Sequence, residues 1–181
     1  MKFLLKIVTI CAILLNLTAC SSMKTLDAPI PIKIENQTIV VGETQMKALY
    51  SCSYLSHLDF EQPLVQNSYY TGIKLYNKKR KVIGELGLYV EKDEPLKEAV
   101  IASIRLYPIE AEITYHDVNI TQLTYTQAKQ LFPDAIYDQY TIYMQTGAYA
   151  LQLQFKDDQT LEAFQHKKEY PVDWHHNEDE K

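Results

Sequence analysis

Cys52 and His57 are the one nucleophile and base that stand close together in this 181-residue chain, and a thiol activated by an imidazole is acyl-transfer chemistry. A helix running through both would set them about 140° apart around its axis, so thiol and ring would not meet. His57-Leu58-Asp59 and His116-Asp117 each join a base to a carboxylate that could orient it, but neither has a serine or cysteine spaced to partner it. His175 and His176, with Asp173, Glu178 and Asp179 nearby, carry the atoms of a transition-metal site. Adjacent histidines in an acidic tail are not a pre-organised ligand set, and they read as solvated tail. The sequence holds no Gly-x-Ser-x-Gly elbow, Gly-rich phosphate loop, Cys-x-x-Cys or His-Glu-x-x-His. No enzymatic activity, cofactor or metal is therefore expected.

Groups suited to contact are more plentiful. Lys78-Lys79-Arg80-Lys81 is the densest basic run on a chain of formal charge −5. It could meet an acidic partner or lipid head groups, and it is also the kind of charge that keeps a strand turn solvated. Tyr69 and Tyr70, with Tyr137, Tyr140 and Tyr143, lie in strand-like runs where neighbours face opposite sides, so some of them should point away from the core. Exposed tyrosine offers large contact area with a polar tip and is enriched at interfaces. Lys78, Lys79, Arg80, Lys81, Tyr69 and Tyr70 are thus the expected partner-binding residues. An acidic body has no general attraction for nucleic acid or for anionic lipid.

These side chains need a scaffold, and 14 tyrosines among many Ile, Val, Leu and Thr favour sheet. Tyr69 to Tyr76 and Lys81 to Val90 flank the turn Asn77-Lys78-Lys79-Arg80 as a hairpin. Further strands are predicted at Ala99 to Tyr107, Glu110 to Tyr115, Ile136 to Gln145, Tyr149 to Phe155 and Thr160 to Phe164. In the fourth of these, Leu151, Leu153 and Phe155 alternate with Gln152 and Gln154, as in a half-buried strand. Thr44 to Tyr50 aligns with Thr126 to Phe132 at an offset of 82 with four identities, which predicts a short helix in each half. Thr124 with Gln127 suits a capping box, Gly42 with Gln45 is a weaker version, and Pro133 stops the second helix. The expected fold class is α+β, with two tandem units, each a short helix packed on an antiparallel β-sheet. The units span residues 32–115 and 116–168, between a proline-containing tether at 20–31 and an acidic flexible tail at 169–181.

Residues 1–19 have the anatomy of an export signal: Lys2 and Lys6 precede an apolar run from Ile7 to Leu17. A helix of that length spans about 16 Å against roughly 30 Å of bilayer hydrocarbon, too short to cross comfortably. Leu17-Thr18-Ala19-Cys20 resembles the bacterial lipobox at all four positions. The resemblance implies cleavage after Ala19 and lipidation of Cys20, with acyl chains such as palmitate attaching the protein to a membrane without spanning it. Ser21 in place of Asp after that cysteine implies, by the same resemblance, the outer membrane of a Gram-negative cell. With Cys11 in the leader and Cys20 acylated, Cys52 is the one free thiol, no intrachain disulfide can form, and a buried structural role is expected for it.

Ile39-Val40-Val41-Gly42-Glu43-Thr44 ahead of a helix resembles the hydrophobic-Gly-x-Thr helix entry of the BamE/SmpA-OmlA lipoproteins of outer-membrane assembly and of the β-lactamase inhibitor proteins. That resemblance implies helix-on-sheet units that hold another protein. The expected function is a lipid-anchored, periplasm-facing, non-enzymatic module that binds a protein, as an envelope assembly component or as an inhibitor or immunity protein. A carrier or sensor of a small apolar ligand is the alternative, and an envelope hydrolase using Cys52 and His57 a third. The sequence leaves the partner, the orientation at the membrane and the oligomeric state open.

Overall fold

The structure, a computed structural model, describes residues 29–34, 37–50, 58–77, 79–107, 112–115 and 117–170. The leader, Cys20, Cys52, His57, Lys78, His116 and the pair His175-His176 lie outside them. In chain order the strands are β1 (Ile32–Ile34), β2 (Gln37–Ile39), β3 (Pro63–Leu64), β4 (Ser68–Tyr76), β5 (Val82–Val90), β6 (Glu94–Pro95) and β7 (Val100–Leu106). After these come β8 (Glu112–Tyr115), β9 (Val118–Asn119), the helix α1 (Tyr125–Leu131), β10 (Ile136–Asp138), β11 (Thr141–Thr146), β12 (Tyr149–Phe155) and β13 (Leu161–Lys168). Seven of them form one antiparallel sheet in the order β10-β11-β12-β13-β7-β5-β4. A four-stranded sheet, β2-β1-β8-β9, and the pair β3-β6 complete the set.

Local chemistry accounts for the regular pieces. Asn77 closes the β4–β5 hairpin because its Oδ1 accepts the Lys79 and Lys81 N–H groups at 2.9 and 3.0 Å, while Arg80 takes the left-handed conformation, φ 57°. α1 begins at the expected capping box, in which Thr124 Oγ1 accepts from the Gln127 N–H and Gln127 Oε1 from the Thr124 N–H. A second cap comes from a distant turn: Asp158 Oδ1 accepts both the N–H and the hydroxyl of Thr126, at 3.0 and 2.8 Å. Beyond the helix, the Tyr137 hydroxyl donates back to the Phe132 carbonyl. The strand predicted from Ile136 to Gln145 is broken by a turn at Gln139, φ 48°, into β10 and β11.

The expectation of two tandem helix-on-sheet units is overturned. Of the described residues 52% are in strands and 13% helical, with one α-helix, and the largest sheet runs through both halves of the chain. The first predicted helix fails because its opening residues are bonded to a strand. Gly42 and Met46 donate to the Ile101 and Ala99 carbonyls, and the Ile101 N–H donates to Thr44. Only Met46–Leu49 remain to turn, as a 3-10 segment without a side-chain cap; Met46 and Leu49 are buried and Tyr50 is exposed. Ile30, within the expected tether, is fully buried, and Tyr170, within the expected tail, is packed on Tyr89.

One hydrophobic cluster joins the inner face of the large sheet to the small sheet and to α1. Phe132 and Phe164 are its largest fully buried side chains. His166 on β13 is the one buried polar side chain among the described residues. Its Nδ1–H donates to the Ala150 carbonyl at 3.0 Å and its Nε2 accepts the Ile30 N–H at 3.4 Å, which fixes the neutral Nδ1-protonated ring. Burial pushes the imidazole down from 6.5 to about 4. A second proton on Nε2 would face the Ile30 N–H with a donor in place of an acceptor.

Two outcomes follow from these contacts. Asp158→Ala should lower stability by about 1 kcal/mol, read from thermal unfolding, because it removes a cap and an anion from the start of α1. His166 contributes its full stability above 6.5 and loses it as pH falls through about 4, since the unfolded chain takes the proton first; the loss is about 3 kcal/mol. Urea unfolding of wild type at neutral pH and at about pH 4.5 should show most of that drop, and His166→Gln, which cannot titrate, should lack that component.

Candidate functional site

Strand alternation gives the seven-stranded sheet two chemically different faces. On β7, Ile104 and Leu106 are buried while Ser103 and Arg105 are half-buried on the other side. Pairing register extends this division to the neighbours. Glu85 on β5 and Gln165 on β13 stand opposite Arg105, and Gly87 and Lys167 stand opposite Ser103. Ala150 and Ala163, on the same outer face, are buried yet stand apart from the core cluster.

A chain of contacts crosses this outer face. Lys74 Nζ donates to Glu85 Oε2 at 2.7 Å, and the Tyr107 hydroxyl donates to Glu85 Oε1 at 2.6 Å. The Arg105 guanidinium lies over the Tyr107 ring, 4.9 Å from its centroid. The Lys74 hydrogen bond, then that of Tyr107, holds the Glu85 carboxyl below the usual glutamate range. Burial, then the bond to Glu85, pushes the Tyr107 phenol up. Glu85 is therefore a fixed anion and Tyr107 a fixed donor. Arg105 differs: among the described residues no carboxylate lies within ion-pair distance of its guanidinium, and the Tyr107 ring is its close partner.

Beside Arg105 the sheet is hollow. Gly87 has no side chain, and a Cβ placed there would stand 2.4 Å from Ser103 Oγ. The depression, about 310 Å³, is lined by Thr71, Gly87, Ser103, Arg105 and Gln165, and by Glu85 as well. At its rim β4 carries a bulge between Tyr70 and Ile73, with Gly72 at φ 80°.

Toward the other end of the hairpin lies an aromatic group. Tyr69 and Tyr89 are cross-strand partners with ring centroids 5.2 Å apart, and Tyr170 stacks on Tyr89 at 4.1 Å. The Tyr170 N–H donates to the Tyr69 hydroxyl at 2.6 Å, and Lys168 Nζ lies 4.9 Å from the Tyr170 centroid. Burial pushes the Tyr170 phenol up to about 12. Tyr69 stays 39% exposed.

A nucleophile needs a base beside it, but Ser103 faces outward while His166, the one described histidine, faces the core, and both Glu85 oxygens already accept hydrogen bonds. Among the described residues no group of three or more His, Cys, Asp or Glu side chains could hold a metal ion, and no helix is long and apolar enough to cross a membrane.

The expected partner-binding residues fall in separate places. Tyr69 belongs to the aromatic group. Tyr70 packs against the core, its hydroxyl accepting the Val65 N–H at 2.9 Å. Lys79, Arg80 and Lys81 are exposed at the hairpin turn, roughly 25 Å from Tyr69 along β4. Glu85, Ser103, Arg105 and Gln165 escaped sequence reasoning because three strands supply them. Their one signal was polar residues at alternate positions inside otherwise apolar strands. Comparison with protein-family models, with curated proteins and with solved structures finds no match to this chain. The functional reading rests on this face and on the sequence.

Carbon-13 NMR titration of the carboxyl groups should place Glu85 below the ordinary glutamate value. Lys74→Met should raise it more than Tyr107→Phe does. An ordinary value in wild type would show that the network does not form in solution.

Proposed function

We propose that this chain is a protein-binding module of the cell envelope, without catalytic activity of its own, which uses the outer face of its seven-stranded sheet as binding surface and a lipidated Cys20 as anchor. The observation that carries the reading is the make-up of that face. It carries Arg105 in a hollow with Tyr107 against its guanidinium, and Tyr69 in the aromatic group farther along the hairpin, all of the residue types that dominate interface hot spots. Seven strands at about 4.8 Å spacing and some seven residues long give roughly 700 Å², close to the ~800 Å² each partner contributes to a stable interface.

The match of Leu17-Thr18-Ala19-Cys20 to a lipobox supports the anchor, and Ser21 supports an outer-membrane address. Ten residues separate Cys20 from Ile30, where the chain enters the core, a reach of at most about 35 Å. The partner on this reading is an envelope assembly component, or an enzyme or toxin that the module inhibits.

A photocrosslinking amino acid placed in turn at Thr71, Gln152 and Gln165 on the outer face, and at Lys33 on β1 as control, tests the proposal in intact cells of the native host. One discrete protein adduct should form from the outer-face positions, be absent from Lys33, and disappear in Cys20→Ala. Adducts from Lys33 alone, or from no position, would contradict it.

A further inference from the structure

We infer that the hollow beside Arg105 is a carboxylate-binding subsite that receives an aspartate or glutamate side chain of the partner protein. The inference rests on the binding-face reading and names the chemistry at its centre.

Charge favours an acidic group. Glu85, itself in the lining, is paired with Lys74 at 2.7 Å and also feels the charge of Arg105 across the strands, so two cations and one carboxylate leave the hollow one net positive charge on a protein whose total is −5. Lys79, Arg80 and Lys81, exposed at the turn, extend that positive potential within roughly 15 Å of the Lys74–Glu85 rung. One net positive charge is matched by a single carboxylate, whereas a dianion such as a phosphate monoester would leave the hollow with excess negative charge.

Geometry agrees. The guanidinium lies over the Tyr107 ring, 4.9 Å from its centroid, and Tyr107 is itself held by Glu85, so the position of the fork is restrained before anything binds. Ser103, Thr71 and Gln165 line the same hollow, and among the described residues their side chains make no hydrogen bond to another protein group. They are placed to complete the coordination of the second carboxylate oxygen. Gly87 supplies the depth. A Cβ there would meet the Ser103 hydroxyl, which can rotate, and would lie 3.6 Å from Ser103 Cβ, an ordinary contact. Alanine at that position therefore fills the hollow without displacing backbone. Gly84 is the contrasting case, since a Cβ there would stand 2.3 Å from the Arg105 carbonyl oxygen.

The test uses the mature lipoprotein, nitrogen-15 labelled, in a zwitterionic detergent. The blocked peptide acetyl-Gly-Glu-Gly-amide is titrated in, with acetyl-Gly-Gln-Gly-amide as control. Saturable shifts confined to Gly87, Ser103, Gln165 and the Arg105 Nε–H are expected, with a dissociation constant on the order of 1–10 mM for so small a probe. The Gln peptide should bind about tenfold more weakly or worse, as loss of a charged hydrogen bond requires. Arg105→Gln should abolish the shifts, and Gly87→Ala should weaken them several-fold, both with an unchanged thermal midpoint. Absent or unsaturable shifts, equal response to both peptides, or insensitivity to Arg105→Gln would overturn the subsite. So would shifts of the same amides by phosphatidylglycerol vesicles but not by the Glu peptide, which would assign the hollow to lipid. Any of these could occur while outer-face crosslinks persist, so failure of the subsite is distinguishable from failure of the binding-face proposal.

Discussion

Four residue pairs between β7 and β13, from Leu106 opposite Phe164 to Ser103 opposite Lys167, join the two halves of the chain into one sheet. Both faces depend on that register. Because side chains alternate with a period of two, the same pairing that sets Leu106 against Phe164 in the core sets Arg105 against Gln165 on the outside. A slip of one residue would carry His166 out of the core and Gln165 into it. Core and candidate site are therefore fixed by a single constraint, and neither could be rebuilt without the other.

The two faces also divide the chemistry. The inner face accepts one polar group, His166, and satisfies it with a carbonyl and an N–H from separate segments, so that the chain entering at Ile30 is tied to the middle of the sheet. The outer face keeps its charged groups in a network in which each member restrains the next, from Lys74 through Glu85 and Tyr107 to Arg105. Groups held in fixed protonation states suit recognition, because they present the same donors and acceptors across the physiological range.

Sequence reasoning succeeded where the determinant is local. Asn77 and its neighbours announce the hairpin, Thr124 and Gln127 the start of α1, and Leu151, Leu153 and Phe155 a strand whose observed limits match those predicted. It failed where tertiary pairing overrides a local pattern. Met46 and Leu49 have helical spacing and are both buried, but Gly42 and Met46 donate to the Ile101 and Ala99 carbonyls and Thr44 accepts from the Ile101 N–H, which ties the start of the segment to β7 and its entry and leaves only Met46–Leu49 as a 3-10 turn. Ile30 and Tyr170 looked like linker and tail because each adjoins polar or proline-containing sequence, and only the folded sheet gives them a surface to cover. Of the candidate outer face, the sequence pointed to Tyr69 and to the basic turn at its edge. Its centre was not, since Glu85, Arg105 and Gln165 are neighbours through strand register alone.

The register between β7 and β13 is thus the claim to measure. Cross-strand backbone nuclear Overhauser effects in the labelled protein report it directly. The account requires contacts centred on Ile104 with His166 and Arg105 with Gln165, continuous with those of β5 on the other side of β7. A pattern displaced by one residue, or no contact between the two strands, would contradict it and remove both the core and the proposed binding face.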